Sequence, residues 1–222
     1  MTKIKGLIFD FDGLILDTEL PNMQSWQEVY RSYGFELPFE KYVLVVGTDE
    51  SAFNPLTYLH DLSGNTIDLS YVSREHRGIL NRKLTSAELM PGVIEYLSEA
   101  KEFGLSTAIA SSSSDEWVHR HLDRLGVKQY FDFIITAGTS YPAKPDPSVY
   151  FESLKKIGAL STEIIAFEDS VNGVRAARAA DIFCVAIPNS VTVNMDFFEA
   201  NLQMPSLLTL DLNDLINLVE SI

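Results

Sequence analysis

Five short apolar runs separated by helix-like stretches constrain this chain more than any other feature. They are Ile4–Phe9, Leu105–Ala110, Phe133–Thr136, Ile164–Phe167 and Ile182–Ile187. Each reads as a short strand of the kind buried in a sheet covered on both faces. Pro91-Gly92-Val93 opens a helical segment with Ile94, Leu97 and Phe103 on one face, and proline favours a helix start. Glu116–Leu125 carries Val118, Leu122 and Leu125 at helical spacing, and Ser148–Ile157 carries Val149, Leu154 and Ile157. Val171–Ala180 is rich in alanine and arginine, a good helix composition. Alternating strands and helices imply an α/β fold with a parallel sheet and right-handed crossovers. Ligands of such sheets bind beyond the carboxyl ends of the strands.

One interval breaks the alternation. From Leu16 to Leu89 the only strand candidate is the short run Val43-Leu44-Val45-Val46. Met23, Trp26, Tyr30 and Tyr33 share one helical face, a pattern expected of core packing, and Gly34 stops that helix. Further helical stretches are expected around Ala52–Leu62 and Leu69–Leu84. A helical insert at this point sits over the ligand end of the sheet, where it can act as a lid.

Composition narrows the class of partner. The 222 residues are 46% hydrophobic, enough for a sizeable core, and carry a net charge of −14. That charge argues against nucleic acid or an anionic membrane as partner. An anionic small substrate needs local help from a metal, a lysine or a helix N-terminus. The lone cysteine, Cys184, falls inside an apolar run and is expected to be a buried strand residue. No run approaches the ~20 apolar residues needed to span a bilayer, and a soluble, cytoplasmic protein is expected. The acidic surface is compatible with a monomer.

The polar residues gather where the strands end. Ile8-Phe9-Asp10-Phe11-Asp12-Gly13 ends an apolar strand in two acids at i, i+2, and residues so spaced on a strand face one side. Two such carboxylates repel unless a cation lies between them. The second run ends Ser111-Ser112-Ser113-Ser114-Asp115 before a helix. Those hydroxyls and free N–H groups suit a phosphate oxygen, and four serines exceed what a helix cap needs. Ala143-Lys144-Pro145-Asp146-Pro147 holds one lysine between prolines, a rigid way to aim an ammonium. Phe167-Glu168-Asp169-Ser170 ends the fourth run. With Asp10 and Asp12 it supplies several hard oxygens at one end of the sheet, which suits Mg²⁺.

The order Asp10-x-Asp12, Ser111, Lys144, Glu168-Asp169 resembles the haloacid dehalogenase-like phosphotransferase superfamily. The strings DFDGLILDTE, IASSSS, AKPDP and FEDSVNG look like its branch with a helical cap, which includes phosphoglycolate phosphatases, sugar-phosphate phosphatases and β-phosphoglucomutases. The resemblance implies a Rossmann-like core with helices on both faces of the sheet, formed by residues 1–15 and 90–222, and an all-helical cap domain, residues 16–89. It implies Asp10 as nucleophile and Asp12 as general acid and base. An acid at neutral pH must hold its proton part of the time. Mg²⁺ would be held by the Asp10 side chain, the Asp12 backbone carbonyl and Asp169, with Glu168 as ligand or neighbour. Ser111 and the Ser112 N–H would bind the phosphoryl oxygens, and Lys144 would neutralise phosphate and nucleophile. Thr18 lies where the family often keeps a hydroxyl near the acid/base.

The insert must choose the substrate, expected to be a small phosphorylated metabolite such as a sugar or polyol phosphate. β-Phosphoglucomutases carry a histidine where this chain has Asn22, and an arginine in the loop that corresponds to Val46–Ser51, which here holds two acids instead. Both departures favour a phosphatase over the alternative, a sugar-phosphate mutase. Arg74, Arg77, Arg82 and Lys83 offer a second anion site, although an exposed helix face is the favoured reading. His60, His76, His119 and His121 show no metal spacing tied to the strand ends, and His119 and His121 do not share a helix face.

Overall fold

The computed structural model of the chain describes residues 3–44, 46, 53–138 and 140–222. Among these, the chain order is β1 (Gly6–Phe9), α1 (Glu19–Ser32), α2 (Phe39–Tyr42), α3 (Pro55–Leu62), α4 (Leu69–Leu84), α5 (Val93–Glu102) and β2 (Ser106–Ser111). There follow α6 (Asp115–Leu125), β3 (Phe133–Thr136), α7 (Ser148–Ile157), β4 (Ile164–Glu168), α8 (Val171–Ala179), β5 (Phe183–Ala186), β6 (Leu202–Gln203) and α9 (Leu212–Glu220). The strands form one parallel sheet in the order β3-β2-β1-β4-β5-β6. All five expected strands are present, within two residues at either end. The sixth, Leu202–Gln203, is two residues long, too short to leave a periodicity.

Alternation along the strands feeds two cores. Leu7 and Phe9 of β1 join Ile109, Ile165, Phe167 and Val185 on one face, under α5, α6 and α9. Ile8 joins Ala108, Ala166, Cys184 and Ala186 on the other, under α7 and α8. Small residues on this second face let the helices approach closely. A fully buried Leu, Ile or Phe contributes about 1.5–3 kcal/mol, so the two cores hold the strand ends in fixed register.

The insert between β1 and β2 has a core of its own. Trp26, Val29 and Tyr30 of α1 pack with Leu59 of α3 and Val72 and Ile79 of α4. Met23 and Tyr33 lie partly buried against them, as the aromatic spacing implies. Two sequence expectations change here. Val43 and Leu44 lie in a turn after α2, and Val46 is also in a turn, so the run is not a strand; Val45 lies outside the described residues. Four apolar residues alone do not distinguish the two outcomes. In α5 the buried face is Val93, Tyr96, Leu97 and Ala100, whereas Ile94 and Phe103 are exposed. The helix begins after Gly92, whose φ is 90°, and at 100° per residue Val93, Tyr96, Leu97 and Ala100 share one face whereas Ile94 and Phe103, nine residues apart, do not.

The insert's two connections run side by side. Leu16 bridges Leu89 in antiparallel fashion, and Met90 N donates to Ile15 O at 2.9 Å. The chain therefore leaves the sheet and returns to it through one two-stranded neck. The order of strands places β1 between β2 and β4, where successive connections diverge to opposite sides. That is the crevice where ligands of such sheets bind.

Candidate active site

Asp10 follows β1, Ser111 ends β2, and Glu168 and Asp169 end β4, so three adjacent strands deliver four polar residues to this crevice. Lys144 arrives from the loop before α7 and is 3% exposed. Its Nζ donates to Asp10 Oδ1 and to Glu168 Oε1, each at 2.6 Å. Tyr150 OH, on α7, also donates to Glu168 Oε1. Burial alone would lower the Lys144 pKa, but the two carboxylates outweigh it and hold the ammonium well above its ordinary value. The lysine is therefore a permanent cation that bridges Asp10 and Glu168.

Carboxylates outnumber it. Burial raises Asp10, and raises Asp169 well above the usual range, with Asp10, Glu19 and Glu168 adding repulsion. Burial, opposed by Lys144, brings Glu168 to about 7. One carboxylate oxygen from each of Asp10, Glu168 and Asp169 lies within 4.8 Å of the others. Three buried acids facing one lysine form a hard-oxygen donor set that fits Mg²⁺. Glu168 is the least free of the three. Its Oε1 is committed to Lys144 and Tyr150, and a Cβ on Gly173 would lie 1.7 Å from its Oε2. Gly173 of α8 is thus required by the acid packed against it.

Asp12 does not join this cluster through its side chain. The chain leaves strand geometry after Phe9, and the parity expected of residues i and i+2 is lost. Ser113 Oγ donates to Asp12 Oδ2 at 2.6 Å, and Trp117 Nε1 donates to Oδ1 at 2.9 Å. The Asp12 carboxylate is therefore turned toward the loop after β2, which leaves only its backbone carbonyl for a metal.

The four serines have four separate partners. Ser111 Oγ accepts from Ser113 N at 3.0 Å, and Ser112 Oγ accepts from Lys144 N at 3.1 Å. Ser113 holds Asp12, and Ser114 caps α6 by accepting from Trp117 N. The run exceeds a cap because it also ties β2 to the lysine loop and to Asp12.

A cavity of about 250 Å³ opens on this floor, lined by Asp10, Asp12, Ser111, Ser112, Lys144, Asp169 and Thr18, with Glu19, Asn22, Leu80, Ser113, Trp117 and Ser170 completing it. All the expected site residues except Glu168 line it; Glu168 lies beneath, fully buried. Thr18 Oγ1 is buried without a hydrogen-bond partner in the protein, an orphan group beside the acids. Sequence reasoning assigned no role to Glu19 or Trp117, although Glu19 ends the quoted string DFDGLILDTE. Burial, followed by Asp12, Asp10 and Asp17, raises Glu19 to about 8, so it carries a proton at neutral pH.

Two histidines prove structural rather than idle. His76 stacks on Trp26 with centroids 3.9 Å apart, and its Nε2–H donates to Asn22 Oδ1 at 3.0 Å. Burial lowers it to about 4, so it is neutral and leaves the Asn22 amide nitrogen for the cavity. His121 packs edge-on against Trp117, centroids 4.4 Å apart. The basic residues of α4 divide. Lys83 pairs with Glu28 at 2.6 Å and Arg82 is exposed. Arg74 and Arg77 line a separate groove of about 530 Å³ with Arg120, adjoining the cavity at Leu80 and Trp117. The acidic stretch 47–51 lies outside the described residues.

Residues 7–187 match the family model described as haloacid dehalogenase-like hydrolase. The chain belongs to the haloacid dehalogenase-like hydrolases. Among curated members, YhcW of Bacillus subtilis (strain 168) is 37% identical over 218 residues, covering 98% of this chain and 99% of that protein. Fructose-1-phosphate phosphatase YqaB of Escherichia coli (strain K12) is 28% identical over 188 residues, covering 83% of this chain and 97% of that one. Solved haloacid dehalogenase-like structures share the fold. β-Phosphoglucomutase of Clostridium difficile superposes with a TM-score of 0.77 at 21% identity, covering 98% of each chain. CbbY of Rhodobacter sphaeroides in complex with phosphate gives 0.74 at 23%, covering 93% of this chain and 96% of its own.

Proposed function

We propose that this chain is a Mg²⁺-dependent phosphomonoesterase that hydrolyses a small phosphorylated metabolite, a sugar or polyol phosphate, through an aspartyl-phosphate. The observation that carries the reading is the Asp10–Lys144–Glu168 array, with both 2.6 Å bonds, at the floor of a cavity whose wall is a serine loop. The relative named fructose-1-phosphate phosphatase supports the same class.

Asp10 attacks phosphorus as the bond to the leaving alkoxide breaks, and Asp12 gives that alkoxide a proton. Asp12 then takes a proton from water as it attacks the aspartyl-phosphate, releasing phosphate and restoring Asp10. For either step Asp12 exchanges its bond to Ser113 or Trp117 for one to the reactant. Ser111 and the Ser112 N–H bind the phosphoryl oxygens, and Lys144 opposes the burial that raises Asp10 and offsets phosphate charge. Asp10, the Asp12 carbonyl and Asp169 would hold Mg²⁺, with Glu168 set behind by Lys144. Bound there, the ion offsets repulsion between the phosphate and the attacking carboxylate.

Residues 16–89 act as a cap over the core formed by residues 1–15 and 90–222. Glu19, Asn22 and Thr18 reach the cavity from the base of this cap. A protonated Glu19, an amide nitrogen and a free hydroxyl are uncharged partners for substrate hydroxyls. About 250 Å³ accommodates a phosphate and a short polyol, below the usual range for drug-sized ligands. The test is phosphate release from a panel of sugar and polyol monophosphates, with Mg²⁺ and with EDTA. Activity should vanish in EDTA and return on adding Mg²⁺. An Asp10→Asn protein that kept full activity would sink the aspartyl-phosphate route. Isomer interconversion that requires a bisphosphate activator, with little phosphate released, would favour the mutase alternative.

A further inference from the structure

Asn189, in the loop after β5, is 5% exposed and touches three parts of the molecule at once. Its Nδ2 donates to Asp169 Oδ2 at 2.7 Å and to Gly13 O at 3.4 Å. Its Oδ1 accepts from Val191 N at 2.9 Å and Thr192 N at 3.2 Å. The orientation of the amide is fixed by these partners. Turned over, it would set an oxygen against a carboxylate and a carbonyl, and a nitrogen against two N–H groups. Gly13 completes an interlock, because a Cβ there would lie 2.0 Å from Asp169 Oδ2 and 2.6 Å from Asn189 Nδ2.

The same short loop reaches the insert. Val191, 2% exposed, is packed into the core of Trp26, Val29 and Tyr30, and Met195 packs against it. Val193 N donates to Asn189 O at 2.9 Å and Met195 N to Thr192 O at 2.8 Å, so the loop is internally braced. A single residue, Ser190, separates Asn189, which holds Asp169, from the valine packed into the insert's core.

We propose that Asn189 is a positioning residue that aims Asp169 at the cation, and that Val191 couples this aim to the seating of the insert. The proposal rests on the metal-dependent reading above. A carboxylate whose second oxygen is held by a donor keeps one oxygen and one rotamer for the ion, and loss of such a support typically costs 10–100-fold in metal affinity. Displacement of the insert pulls Val191, and through Oδ1 tilts the amide. By linkage, Mg²⁺ binding favours the insert position in which Asn189 reaches Asp169.

The test is Mg²⁺ titration by calorimetry on the full chain, with melting in EDTA measured alongside. Asn189→Ala should weaken Mg²⁺ binding by about tenfold or more. Asn189→Ser keeps a short acceptor for the Val191 and Thr192 N–H groups but cannot reach Asp169. It should therefore weaken Mg²⁺ as much while melting closer to the unsubstituted protein. Val191→Ala, which does not touch Asp169, should weaken Mg²⁺ by about threefold. Unchanged Mg²⁺ affinity in Asn189→Ser overturns the positioning role, and unchanged affinity in Val191→Ala overturns the coupling. If the unsubstituted chain binds no Mg²⁺, the metal-dependent reading falls and takes this inference with it. Lower melting temperatures with intact affinity would mark Asn189 as structural only, against the proposal.

Discussion

The Trp117 indole donates from Nε1 to Asp12 Oδ1 at 2.9 Å, so a helix side chain fixes the residue proposed to carry the proton. Arg120 lies over the same ring, 5.1 Å from its centroid, and His121 packs against it 4.4 Å away. Trp117→Phe keeps the packing and removes the donor. A hydrogen bond to a carboxylate contributes about 1.5–3 kcal/mol. The expected result is a fall in kcat of about tenfold, with KM changed little, read from steady-state phosphate release.

Lys144→Met removes the one cation among three buried acids. Breaking such a buried pair costs about 3–5 kcal/mol. With the ammonium gone, the carboxylates rise further above their unfolded values, and stability then falls as pH rises because the folded state binds more protons. Thermal melts in EDTA should show a larger deficit relative to the unsubstituted protein at pH 8 than at pH 5. Activity should be lost at both.

Glu19 is raised from its ordinary carboxyl value to about 8. A carboxyl raised on folding opposes the folded state once pH exceeds its unfolded value, and the penalty grows until about pH 8. Glu19→Gln removes that penalty. In EDTA its melting temperature should fall less between pH 5 and pH 8 than that of the unsubstituted chain. For a chain of this size each kcal/mol corresponds to about 2–4 °C. Equal slopes in the two proteins would refute the assignment.

Arg74 and Arg77 line a groove distinct from the catalytic cavity. The double substitution to alanine should leave kcat/KM for a sugar monophosphate within about threefold, as expected of exposed side chains outside the cavity. A loss of tenfold or more would place the substrate in that groove.

The fold and most of the polar floor were legible in the sequence because both are written locally. Ile164–Phe167 is apolar from end to end and becomes β4; the acids that follow fall at its tip for that reason alone. The direction of side chains beyond the strand end was not legible. Asp10 and Asp12 share a spacing but part company, because Trp117, some hundred residues away, offers a donor that no local pattern announces. Glu19 sat in plain view within its motif. Its raised pKa depends first on burial, which only the folded chain supplies, and then on Asp12, Asp10 and Asp17 nearby in sequence. Asn189 carried no signal, being one of several polar residues in its loop, and its distant partners, Gly13 and Asp169, follow different strands.

The neck formed by Leu16 and Leu89 has a consequence for how this architecture varies. Because entry and exit are already neighbours, the length between them adds only slowly to the entropy of closing the loop. β1 and β2 pair directly in parallel, Gly6 beside Ser106 and Phe9 beside Ile109. The intervening helices can therefore be exchanged as a cassette, with the polar floor at the strand ends left intact. In this chain that cassette is not wholly free: Val191, from the loop after β5, is buried in its core. A transplanted insert would have to accept that one foreign valine or lose its seat.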